Sequence, residues 1–158
     1  DFPSNSLAVD NSFIYYVDRD PMGNIGIRKR TAVDPPALAM IINFPAGTGF
    51  PRQIAVTADR LLWVGTGIFS SPLDPPTKIP PSPLATGSPT RFAIDGNTLF
   101  WGEFASASSG RIYSCPITGC RGSPTVIAAT CGVGFLAVDA TSVYWICGAM
   151  GTVMKVAR

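Results

Sequence analysis

Hydrophobic and polar positions along the chain fall into one short pattern that recurs four times. Residues 7–16 (LAVDNSFIYY), 54–63 (IAVTADRLLW), 92–101 (FAIDGNTLFW) and 136–145 (LAVDATSVYW) align without a gap. Each copy has an apolar residue, an alanine, Val or Ile, a polar turn, two apolar residues and a closing aromatic. The alanine and the aromatic are Ala8 and Tyr16, Ala55 and Trp63, Ala93 and Trp101, and Ala137 and Trp145, eight residues apart every time. Successive copies are offset by 47, 38 and 44 residues, so insertions fall outside the motif. Physically, each copy predicts a β-hairpin: an apolar strand, a turn of residues such as Asp10, Asn11 and Ser12, and a second strand ending at the aromatic. Both strands are almost continuously apolar, which predicts burial on both faces between neighbouring sheets. The repeated alanine suits a crowded position between those sheets. A third strand is expected at 23–28, 67–73, 110–115 and 151–156, and a fourth at 38–43 and 125–130, with a faint one near 83–86.

Four strands per unit at a period of about 40–45 residues is the signature of propeller blades, and a closed sandwich would not produce such strict repetition. The sequence resembles the β-propeller repeats of the YWTD and NHL-like group, above all a bacterial secreted form of them. Ala137, Val138 and Asp139, then Val143, Tyr144 and Trp145, then 151–156 (GTVMKV) carry the likeness, with Gly119, Cys120 and 123–128 (SPTVIA) matching the linker. The resemblance implies an all-β fold: four four-stranded blades, the last lacking its fourth strand. It implies one domain over 1–158, with blades at approximately 5–44, 52–86, 90–130 and 131–158. Three arrangements are open: a small ring, an open arc cut from a longer chain, or a half-propeller completed by a second copy. An arc leaves unpaired strand edges, which invite association. The expected partner is therefore a second copy or the remainder of a longer propeller chain.

Composition narrows the chemistry. Charged residues make up 14% of the chain, against about 25% in an average soluble domain. Gly (16) and Pro (15) together argue against long helices. A net charge of +2 is not that of an electrostatic nucleic-acid binder. Histidine is absent and glutamate occurs once, at Glu103, which removes the commonest general base and most zinc and haem sites. The longest apolar stretch, 37–44, is far short of the roughly 20 residues a membrane-spanning helix needs. The chain begins at Asp1 and reads as a processed or excised piece from which any signal peptide is already gone. Four cysteines, Cys115, Cys120, Cys131 and Cys147, all lie in the last third. Their even number suits two disulfides and a secreted, periplasmic or cell-surface location. Cys115 and Cys120 flank a turn short enough for a local bridge, and Cys131 with Cys147 suits a clip across the last hairpin. Four buried thiols, or a Cys₄ zinc site at an unusual spacing, are the alternatives.

Candidate ligand-binding residues are few. Arg52 and Arg91 enter their strands at nearly equivalent places and could ring an anion; the plain alternative is solvated surface charge. Asp18, Asp20 and Asn24 have the spacing and glycine turn of some calcium loops but lack a terminal bidentate Glu, so a polar turn competes with a metal site. Asp10, Asp95 and Asp139 recur in the motif and are explained by local turn hydrogen bonds. Tyr16, Trp63, Trp101 and Trp145, with Ala8, Ala55, Ala93 and Ala137, are expected to pack blade on blade, although such aromatics can also stack on sugars. No acid–base or nucleophile set and no cofactor are indicated. The favoured function is a non-enzymatic, secreted β-propeller acting as a binding, scaffold or self-assembly module. The alternatives are a gluconolactonase-like or lyase-like propeller enzyme using a channel metal, and a carbohydrate-binding propeller lectin.

Overall fold

The computed structural model describes residues 7–31, 38–44, 50–74, 83–120, 122–148 and 151–158. Every regular element among them is a β-strand. Sheet 1 contains β1 (Leu7–Val9), β2 (Phe13–Arg19), β3 (Ile25–Thr31) and β4 (Leu38–Phe44). Sheet 2 contains β5 (Gln53–Val56), β6 (Arg60–Val64) and β7 (Ile68–Pro72). Sheet 3 is built from β8 (Pro89–Asp95), β9 (Thr98–Ser106), β10 (Ser109–Pro116) and β11 (Thr125–Thr130). Sheet 4 holds β12 (Val133–Val138), β13 (Ser142–Cys147) and β14 (Thr152–Ala157). In each sheet, strands follow chain order and pair antiparallel with their sequence neighbours.

Every predicted hairpin forms, and in one common register. The residue before each alanine lies opposite the closing aromatic: Leu7 opposite Tyr16, Ile54 opposite Trp63, Phe92 opposite Trp101 and Leu136 opposite Trp145. The fourth strands at 38–44 and 125–130 form as expected. Near 83–86 the structure shows only a single bridging residue, Ala85, consistent with the faint signal there; residues 75–82 lie outside the described set.

The chain divides into two compact units, Asp1–Pro83 and Leu84–Arg158. In the first, one face of sheet 1 packs on one face of sheet 2. Side chains alternate across a strand, so Ala8, Tyr15, Val17, Ile27, Ile42 and Phe44 all project from the same side of sheet 1. They meet Ile54, Leu61 and Trp63 of sheet 2 in one core. The Trp63 indole stacks on Phe69 with centroids 5.5 Å apart and meets the edge of Phe44 at 5.9 Å.

The second unit repeats this logic. Phe100 and Ile112 of sheet 3 pack against Val133, Val143, Trp145 and Cys147 of sheet 4. The Trp145 indole N–H donates to Thr130 Oγ1 at 3.0 Å, so the ring is buried without an orphaned donor. Backbones approach closely along this seam. Thr90 Oγ1 lies 3.1 Å from the carbonyl oxygens of both Gly102 and Val133, linking the two sheets with one hydroxyl. A side chain at Gly110 would run into the carbonyl oxygens of Cys131 and Glu103. These acceptors belong to the backbone and cannot swing aside. Gly110→Ala is therefore expected to destabilise the fold by about 1–3 kcal/mol, the usual penalty of overpacking. At Gly65 an added methyl would make an ordinary contact 3.5 Å from the Phe69 ring, so Gly65→Ala should stay within about 0.5 kcal/mol of the parent. Thermal unfolding of the two variants checks the contrast.

Candidate functional site

A cleft of 520 Å³ opens in the first unit at the end of the seam between sheets 1 and 2. Asp10, Asn11, Ser12, Phe13, Tyr15 and Lys29 line it from sheet 1, and Thr57, Ala58, Leu73 and Asp74 from sheet 2. Its walls are set by the first hairpin turn. Asp10 Oδ1 accepts the backbone N–H groups of Ser12 and Phe13, both at 2.7 Å, and Asp10 Oδ2 accepts the Tyr15 hydroxyl at 2.7 Å. Burial alone would raise the Asp10 carboxyl, but the bonds from Tyr15, Ser12 and Phe13 and the charge of Lys29 outweigh it and hold it below the usual carboxylate range. Burial and the Asp10 contact together push the Tyr15 hydroxyl up, so it remains a donor. The Lys29 ammonium sits 4.6 Å from the centre of the Phe13 ring, a cation–π contact at the cleft wall.

The same device recurs in sheet 4. Asp139 Oδ1 accepts the Thr141 and Ser142 backbone N–H groups at 2.8 Å, and Asp139 Oδ2 accepts the Tyr144 hydroxyl at 2.8 Å. The Thr141 backbone bond, the Tyr144 hydroxyl and the Ser142 bond lower the Asp139 carboxyl to about 2. In sheet 3 the equivalent of Tyr15 is Phe100, and Asp95 instead meets the Arg158 guanidinium. Arg158 also donates to the Asp139 carbonyl oxygen at 2.9 Å and lies 5.4 Å from the Phe100 ring centre. In sheet 2 Thr57 takes the turn, its hydroxyl accepting the Arg60 backbone N–H at 3.2 Å. Asp10 and Asp139 are thus turn acceptors, as expected, whereas Asp95 shows its contact with Arg158 instead; the Asp-to-Tyr tie five residues on was missed. Its signal is a tyrosine just before the closing aromatic, present only in sheets 1 and 4.

The remaining sequence candidates fall as follows. Asp20 closes its own turn, accepting Met22 N–H at 2.9 Å, Asn24 N–H at 2.8 Å and the Asn24 side-chain amide at 2.9 Å. The Asn24 amide, ahead of the backbone bonds, lowers its carboxyl. Asp18 instead pairs with Arg28 Nε at 3.0 Å. The structure therefore gives the 18–24 loop the hydrogen bonding of a polar turn, and no group of three metal-ligating side chains occurs among the described residues. Arg52 lies in the first unit with its backbone N–H on the Val64 carbonyl at 2.8 Å. Arg91 belongs to the second, its guanidinium 5.3 Å from the centre of the Phe135 ring. The loops at 44–52 and 148–151 include residues outside the described set. Trp63, Trp101 and Trp145 are buried, whereas Tyr16, at the equivalent register position, is half-buried and Tyr15 takes the buried place. The reason is which face of sheet 1 is covered: Tyr15 faces sheet 2 and Tyr16 faces away. Cys115 pairs with Cys120 (Cα–Cα 5.1 Å) and Cys131 with Cys147 (Cα–Cα 5.6 Å), both within disulfide reach.

A second concavity, 260 Å³ and almost wholly apolar, lies on the side of sheet 4 turned away from sheet 3. Phe135, Ala137, Tyr144, Ile146 and Val153 shape it. No family model matches the chain, and no curated protein matches it. Solved structures do. The chain is similar to a chain of the nidogen/laminin complex, with a TM-score of 0.65 and 16% identity, covering 96% of this chain and 64% of that one. It is similar to the computationally designed Ika4 protein (TM-score 0.63, 10% identity, 98% of this chain and 91% of that one). The WD40 β-propeller domain of Doa1 matches over 100% of this chain and 69% of that one (TM-score 0.51, 14% identity). The fold is that of a β-propeller. Each antiparallel sheet is a propeller blade, with four strands in sheets 1 and 3 and, among the described residues, three in sheets 2 and 4, and the chain spans less than two thirds of the chain it matches in the nidogen/laminin complex.

The propeller's turn chemistry has a measurable consequence at Asp139. A carboxyl lowered in the folded state stabilises the fold fully above the ordinary carboxylate range and loses that contribution as pH falls through about 2. Tyr144→Phe removes the second-largest cause of the lowering. The Asp139 carboxyl should then titrate closer to 3.8, yet stay below it because the backbone donors persist. Carboxyl ¹³C titration by NMR reads this directly; an unmoved midpoint would refute the role of the hydroxyl.

Proposed function

We propose that this propeller is a secreted binding or assembly module that works through surface recognition and not through chemistry of its own. The observation carrying the reading is the distribution of apolar surface. Leu62 and Val64 of blade 2 and Leu99 and Trp101 of blade 3 are buried. The second faces of blades 1 and 4 are open, with Leu7 60% and Val9 59% exposed on one and Phe135 55% and Val153 71% exposed on the other. Contiguous apolar exposure of this kind marks an interaction surface, since scattered single residues would be unremarkable. The polar groups of the cleft support the same reading: Asp10 and Tyr15 are committed to each other and to the turn. A carboxylate held by three donors is a scaffold element.

The disulfides support secretion, because such bonds persist in oxidising compartments. Both sit in the second unit, and Cys131–Cys147 clips the start of β12 to the end of β13. With a separation of 16 residues it restricts the unfolded chain more than Cys115–Cys120, with a separation of 5, by about 1 kcal/mol of loop-closure entropy. Cys131→Ser with Cys147→Ser is expected to cost about 2–4 kcal/mol, measured by denaturant unfolding. Thiol alkylation followed by intact mass should add four labels after reduction and none before it. Four labels on the unreduced, folded protein would defeat the secretion reading. Sedimentation across a concentration series should show association, and a chain that stays monomeric and binds no hydrophobic dye would defeat the binding reading.

A further inference from the structure

The two open faces fit each other, because together they reproduce a contact the chain already makes. In the packed seam of the first unit, the covered face belongs to blade 1 and carries Ala8, Tyr15, Val17, Ile27 and Lys29. By strand register, Ala8 opposite Tyr15 opposite Lys29 corresponds to Ala137 opposite Tyr144 opposite Lys155, and Val17 opposite Ile27 corresponds to Ile146 opposite Val153. The open face of blade 4 therefore repeats the covered face of blade 1, down to the lysine and the tyrosine tied to a turn aspartate. The covering face belongs to blade 2 and carries Ile54, Val56, Leu61 and Trp63. Its equivalents in blade 1 are Leu7, Val9, Ile14 and Tyr16, the open side of that blade. Arg28 stands where Phe69 stacks on the tryptophan, so the polar margin differs while the apolar centre is kept.

We propose that the Tyr144 face of blade 4 receives the Tyr16 face of blade 1 from a second copy of this chain, in the manner in which blade 1 receives blade 2. This rests on the binding reading above and names its partner. The contact joins two different surfaces, so association runs head to tail and either closes into a ring or propagates. Leu7 and Val9 on one face and Phe135, Ile146 and Val153 on the other are solvent-exposed in the single chain, while Ile14, Tyr16 and Tyr144 are half-buried. Lys155, opposite Tyr144, would stand where Lys29 stands at the cleft of the existing seam, and Arg28, opposite Tyr16, would keep its ion pair with Asp18.

Two variants and their mixture test this. Val9→Lys spoils the blade 1 face, and Val153→Lys spoils the blade 4 face; both positions are exposed, and unchanged circular dichroism with intact disulfides confirms folding. The wild-type chain should show a mass above one chain by light scattering. Each variant alone should fall to one chain, since every possible pair then contains a spoiled surface. An equimolar mixture should recover a species of two chains and nothing larger, because one intact surface of each kind remains. If Val9→Lys alone stays associated, contact is between like faces and the head-to-tail pairing is overturned, with the binding reading intact. If the mixture stays monomeric, the pairing is likewise overturned. A monomeric wild-type chain, as a self-closed ring would be, overturns both the pairing and the self-assembly it deepens.

Discussion

An antiparallel sheet built from these residues has apolar side chains on both faces, and neither water nor a single neighbouring layer can satisfy both. The covering of one sheet's Tyr15 or Phe100 face by the Trp63 or Trp145 face of the next resolves this on one side of each contact. Other features of the structure follow from it. Glycine stands where a side chain has no room, at Gly102 against the Val133 side chain and at Gly110 against the Cys131 and Glu103 carbonyls, and the indole of Trp145 finds Thr130 because burial would otherwise orphan its N–H. The same requirement leaves a remainder: one face of blade 1 and one of blade 4 still carry exposed apolar side chains.

The polar chemistry of the repeat is subordinate to that packing. Asp10 and Asp139 each fix a hairpin turn through backbone donors and hold a tyrosine hydroxyl from the neighbouring strand. Tyr15, tied in this way, presents its ring to sheet 2 in one orientation, which lowers the entropy lost when the two sheets dock. Where the tyrosine is replaced by Phe100, Arg158 takes over the turn and covers the ring. Different residues thus meet one geometric need, a closed turn beside an oriented aromatic.

Much of this was legible in the sequence because the repeat encodes register directly. Ala8, Ala55, Ala93 and Ala137 mark the same place in four hairpins, and the strands β2, β6, β9 and β13 ended or passed where the aromatic pattern required. The turn role of Asp10 and Asp139 was equally visible, since Asp before a polar pair is a known local acceptor. What the pattern could not convey is which face of a strand has a neighbour. Tyr15 and Tyr16 are adjacent and chemically identical, and only the presence of sheet 2 decides that Tyr15 is buried. The pairing of Asp20 with Asn24 and of Asp18 with Arg28 was hidden for a related reason: spacing shows which residues are near in sequence but not which way alternate side chains point.

Strand order in all four sheets follows the chain without a crossover. Each sheet can therefore zip up from its own hairpin before any distant segment arrives, and the entropic cost of closing long loops is largely avoided. A damaged blade in such an arrangement disturbs only the neighbour it touches, much as in linear repeat proteins. The copies differ in length only outside the hairpins, so each hairpin keeps one register whatever the length of the segment that follows it.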